Sequence, residues 1–108
     1  MKIKTANNVE FIVSDVTATI VDPSTCRILV QINFIGETIS LEDIATEYNN
    51  GGFASFIVLD DTGNEVKTYN GYTIFSNLTE RIDNGSVPYI VLNLANLPAI
   101  SSVAEYGM

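Results

Sequence analysis

A chain of 108 residues is close to the commonest size of a single domain, and a composition 46% apolar and 17% charged can build one core without metals or disulfides. Thirteen acids against five bases give a net charge of −8, and no basic cluster exceeds Lys2-Ile3-Lys4, so the chain has no basic stripe with which to grip a phosphate backbone. The absence of histidine removes the usual zinc sites and both Ser-His-Asp and Cys-His catalysis, while the single cysteine, Cys26, removes any disulfide within the chain.

Lys2 to Lys4 opens an alternating strand, Ala6-Asn7-Asn8 offers a turn, and Val9, Phe11 and Val13 share one face of a second strand. The two predict an N-terminal hairpin. Val16, Ala18 and Ile20 also alternate, but on the opposite phase, so a bulge or bend is expected around Ser14-Asp15. After the turn Asp22-Pro23-Ser24-Thr25, the residues Cys26, Ile28, Val30, Ile32 and Phe34 repeat at period two and give the strongest strand signal in the chain. Cys26 is read there as a small buried hydrophobe.

Ser40 stands as an N-cap before Leu41, Ile44, Ala45 and Tyr48, whose spacing predicts a helix of about two turns ending before Asn49-Asn50-Gly51-Gly52. Its acids Glu42, Asp43 and Glu47 are expected on a solvated face. Phe53 to Leu59 reads as a central strand buried on both faces, and Asp60-Asp61-Thr62-Gly63-Asn64 as the hairpin turn to a return strand Val66–Tyr69. Asn70-Gly71 is a tight turn, Tyr72 to Leu78 a strand with Tyr72, Ile74 and Leu78 on one face, and Asp83-Asn84-Gly85-Ser86 a further turn. The last strand, Tyr89–Leu94, places Ile90, Leu92 and Leu94 inward, and Pro98 stops it.

These elements predict one mainly β domain over residues 1–108, a small antiparallel sandwich or partly open barrel of about seven strands with one short helix. Residues 99–108 are expected to form a flexible or docking tail. No apolar run approaches the length of a membrane span, and no signal peptide is apparent, so the expected location is the cytoplasm at synthesis.

Three constellations invite a chemical reading. An apolar strand followed by Asp61-Thr62-Gly63 resembles the aspartic protease signature, which needs two such aspartates sharing a proton and hence a dimer of this chain. Asp60 before the triplet and Asn64-Glu65 after it depart from that pattern, so a hairpin turn with Gly63 at positive φ is the preferred reading. Asp60, Asp61 and Glu65 lack the twelve-residue ligand spacing and sixth-position glycine of a calcium loop. No cofactor or metal site is predicted. The aromatics Tyr48, Phe53, Phe56, Tyr69, Tyr72 and Phe75 are read as core with part left for an interface, since a mean hydropathy of +0.23 is high for so small an interior. Candidate contact residues are Phe53 and Phe56, together with Ile100, Val103 and Tyr106 in the tail.

Met1-Lys2-Ile3-Lys4, Glu10-Phe11-Ile12-Val13 and Tyr69-Asn70-Gly71-Tyr72-Thr73-Ile74, followed by a closing apolar strand, resemble small proteins of tailed-phage structural modules. That resemblance implies a tail- or virion-associated component without catalytic residues, working through protein partners as a homo-oligomer or within a larger assembly. Two other readings stay open. One is an acidic inhibitory module that occupies a basic host protein; the other is the dimeric aspartic hydrolase centred on Asp61.

Overall fold

A computed structural model of the chain describes residues 1–22, 24, 27–35, 39–81 and 89–96. Strands β1 (Lys2–Thr5) and β2 (Glu10–Asp22) make the predicted N-terminal hairpin. Its turn closes with Asn8 N–H donating to the Thr5 carbonyl and Thr5 N–H to the Val9 carbonyl, both at 2.9 Å. Asn8 takes φ 64°, a left-handed conformation that asparagine tolerates better than most side chains.

The expected bulge in β2 is present. Register with β3 (Arg27–Ile35) shifts between Val13 and Asp15, leaving Ser14 as the extra residue. Beyond it Val16, Ala18 and Ile20 lie opposite Ile32, Val30 and Ile28, so these even-numbered residues share a face with the core side of β3. The bulge therefore turns two conflicting hydrophobic phases into one continuous face.

Helix α1 (Leu41–Asn49) begins at Ser40, whose hydroxyl accepts from Asp43 N–H while the Asp43 carboxylate accepts from Ser40 N–H. This reciprocal cap satisfies two amide donors that the first turn leaves without helical partners. Gly51, at φ 78°, reverses the chain after the helix, and a single 3-10 turn at Gly52–Ala54 leads into β4 (Ser55–Leu59). Phe53 thus belongs to that turn and not to the strand. Within β4, Phe56 and Val58 are buried, whereas Ser55, Ile57 and Leu59 are half-buried, so the expectation of equal burial on both faces is corrected to an alternating pattern.

Strands β5 (Glu65–Asn70), β6 (Ile74–Arg81) and β7 (Tyr89–Ala95) complete a seven-stranded antiparallel sheet in the order β5-β4-β1-β2-β3-β7-β6. A register shift in β6, between Phe75 and Asn77, sets Phe75 opposite Leu94 and Leu78 opposite Leu92. Ile74 faces Ala95 on the other side of the sheet, so Phe75 and Leu78, rather than Ile74 and Leu78, share the core face. The sheet does not close into a barrel.

Long β2 links the two halves: Glu10–Ile12 pair with β1, and Val13–Asp22 pair with β3. Ile3, Phe11, Phe56, Val58 and Tyr69 from one half meet Val30, Ile32, Phe34, Ile90, Leu92 and Leu94 from the other in one core, completed by Ile44 of α1 and by Phe53. Phe11 packs edge-on to Phe34 at 5.5 Å between centroids, and Phe53 stands 6.1 Å from both Phe11 and Phe56. Such stacked and edge-to-face contacts add to the roughly 1.5–3 kcal/mol that burying each side chain contributes. Among the described residues no helix is long and apolar enough to cross a membrane.

Candidate interaction surface

The sheet has three unpaired flanks among its described residues, and they differ in chemistry. The outer edge of β5 carries Glu65 and Lys67, and the outer edge of β6 carries a bulge and Glu80. Charges and bulges are common devices that keep an edge from pairing with another chain. The third flank is the side of β2 beyond its pairing with β1. Its ladder with β1 ends at Ile12, followed by a Val13 N–H to Met1 carbonyl bond of 3.0 Å, and on that side, opposite β3, no described strand lies along Asp15–Val21.

That stretch reads Asp-Val-Thr-Ala-Thr-Ile-Val, with no lysine or proline; a second register shift with β3, between Ile20 and Asp22, leaves Val21 as an extra residue, so Val16 to Ile20 form the regular part between two bulges. β-branched residues fill five of the seven positions, a composition that favours extended backbone. Thr17 to Val21 are exposed on both faces of the ribbon, with Ile20 at 61% and Val21 at 51%. The β2–β3 hairpin therefore projects past the core as an arm whose free edge has an uncharged centre.

Inside the molecule, the most unusual polar group is Glu47. It was expected on a solvated helix face and is instead buried, only 7% exposed. The Thr5 hydroxyl donates to its Oε2 at 2.6 Å and Asn7 Nδ2 to the same oxygen at 3.2 Å. Thr5 Oγ1 also accepts from Val9 N–H, and Asn7 Nδ2 donates to the Asn50 carbonyl. The carboxylate thus joins the N-terminal hairpin turn to the last turn of α1. Gly52 lies against it so closely that a β-carbon there would collide with the carboxylate.

Asp60 organises the β4–β5 turn. Its Oδ1 accepts from Thr62 Oγ1 at 2.7 Å and from the N–H groups of Thr62 and Asn64 at 2.9 Å. The Thr62 hydroxyl bond, followed by the backbone donors, holds its pKa below the ordinary carboxylate value. Gly63 takes the predicted positive φ, 88°. Asp61 contributes to none of these turn bonds; its side chain is 91% exposed and pairs with the Met1 ammonium. Among the described residues, no three acidic or cysteine side chains converge as a metal site would require.

Phe53 and Phe56 are each 1% exposed, so their proposed role as contact residues is corrected: both are core. Burial follows from packing at the junction of both sheet halves and α1, where their rings stack in one cluster. Ile100, Val103 and Tyr106 lie outside the described residues, as does Cys26. Of the other aromatics, Tyr48 and Phe75 meet edge-on at 5.6 Å beside Ile44, Leu78 and Leu92 in an apolar recess of about 410 Å³ between α1 and β6. Tyr48 is fixed there by its hydroxyl, which donates to the Thr73 carbonyl at 2.6 Å.

Sequence reasoning found the strand around Ala18 but missed its open edge. The signal lay in the mismatch of lengths, a four-residue β1 against a thirteen-residue β2. Comparison with known protein families, curated proteins and solved structures finds no match.

Proposed function

We propose that this chain is a non-enzymatic structural or accessory subunit that acts through protein–protein contact, in an assembly of the tailed-phage or prophage kind. The observation that carries the contact reading is the open β2 edge, whose stretch from Val16 to Ile20 runs regular and uncharged between two bulges. Alternate backbone N–H and C=O groups on such an edge are donors and acceptors ready for an added strand, and side chains on both faces of the ribbon supply specificity. The phage assignment rests on the sequence resemblance. An acidic surface of net charge −8 keeps the free subunit soluble before assembly and limits indiscriminate pairing.

Incorporation into particles tests this reading. Particles purified from cells carrying the source genome are expected to contain the wild-type chain, and to lose it when Ala18→Pro removes a backbone donor that faces the open edge, since Thr17 and Thr19 turn theirs toward β3. Recovery of the wild-type chain only as free protein, with none in the particles, would contradict the assignment. Incorporation of Ala18→Pro at wild-type level would move the contact away from β2.

A further inference from the structure

We infer that the open β2 edge is a pairing site for the same segment of a second copy of this chain, antiparallel about a two-fold axis, with Ala18 opposite Ala18. This inference rests on the contact reading above and names its partner.

A two-fold axis normal to the sheet brings even-numbered residues opposite even-numbered ones, because directly opposed residues share a face. Centring the pair on Ala18 uses the whole regular stretch from Val16 to Ile20 between the bulges at Ser14 and Val21, whereas a centre on Thr17 or Thr19 leaves residues at one end without a counterpart. In the Ala18 register, Val16 opposes Ile20 on the core-side face, and Thr17 opposes Thr19 on the other. Both are β-branched pairs of the kind that stabilise antiparallel ladders. Asp15 and the bulged Val21 fall at the two ends of the ladder, so no acid faces an acid across its centre. A neutral, self-matching centre suits a second copy better than a basic partner, for which Val16 to Val21 offer no counter-charge. Isologous pairing also covers the exposed Ile20 and Val21 of both copies by one operation.

Two measurements on the full chain decide it. Sedimentation equilibrium is expected to show wild-type protein at twice the 11.8 kDa chain mass, and Ala18→Lys at the single mass with an unchanged circular dichroism spectrum. Opposed ammonium groups at the centre of the seam should raise the dimer dissociation constant at least about tenfold, and exposed Ala18 accommodates the side chain without touching the core. Independently, Ala18→Cys in a Cys26→Ser background should give a covalent dimer with diamide, since opposed Cα atoms stand about 4.5–5.5 Å apart. Thr62→Cys, exposed at the β4–β5 turn, should not.

A wild-type monomer up to about 1 mM, on the affinity scale of the weakest specific complexes, would overturn the inference. So would an Ala18→Lys dimer, or a dimer that disappears on deletion of residues 97–108, which would hand the seam to the tail. A monomer that still needs its β2 edge to enter particles would sink this inference and leave the proposed function standing. A dimer absent from particles would do the reverse.

Discussion

Glu47 shows how one buried side chain ties distant segments together. Glu47 accepts two hydrogen bonds from Thr5 and Asn7 while Gly52 leaves room for the carboxylate, and Ala6 N–H donating to the Gly52 carbonyl closes the same junction. Glu47→Ala removes the acceptor and leaves buried Thr5 with half its bonding; urea unfolding is expected to show a loss of roughly 1–3 kcal/mol. Gly52→Ala should cost a similar amount by collision, and in the Glu47→Ala background it should cost markedly less, because the colliding group is gone. Additive losses would contradict this coupling. Helical spacing alone placed Glu47 with Glu42 and Asp43 on a solvated face, and nothing local signals that Thr5 and Asn7 arrive above it. At the β4–β5 turn, by contrast, the sequence was fully legible: Asp60 and Gly63 do what their types do in turns. Because the native pKa of Asp60 is lowered, its contribution to stability is complete at neutral pH. It starts to fall near the unfolded aspartate value of about 3.9 and vanishes below the native value. The stability difference between wild type and Asp60→Asn, measured by urea unfolding against pH, should shrink across that acid window; a pH-independent difference would refute the role.

At the scale of elements, what the sequence displayed was local and what it concealed was pairing. The opposite phases of Phe11-Val13 and Val16-Ala18-Ile20 announced the β2 bulge, and the Ser40 cap with Asp43 announced the start of α1. The smaller bulge between Phe75 and Asn77 escaped because one apolar residue moved by one position leaves almost no trace in an alternation of only five residues. Phe53 was placed in a strand because an apolar run carries no period, and only the left-handed Gly51 and the packing of Phe53 against Phe11 and Phe34 convert it to a turn. The contacts β1–β4 and β3–β7 join segments more than fifty residues apart, as Ile3 with Val58 and Phe34 with Ile90 show, and no local pattern encodes them. Those pairings decide which strand edges are left open. The candidate surface was therefore hidden although its residues were correctly read as a strand.

For the whole molecule, the structure resolves a tension in the composition. Too many apolar residues for a small interior point to an interface, and composition alone nominates the aromatics. The fold spends Phe11, Phe34, Phe53 and Phe56 on joining its two half-sheets around α1, and leaves Ile20 and Val21 on an arm outside the core. A net charge of −8 on each copy opposes association at long range, while the neutral seam from Val16 to Val21 favours it at contact. Salt should therefore strengthen pairing along this arm, by screening the repulsion without weakening the apolar contacts. Residue-resolved amide hydrogen exchange over a range of protein and salt concentration tests this directly. Alternate amides within Asp15–Val21 should slow as protein or salt concentration rises, while those on the outer edge of β5 stay unchanged. Exchange along Asp15–Val21 that ignores both concentrations, or slows equally on β5, would contradict the account.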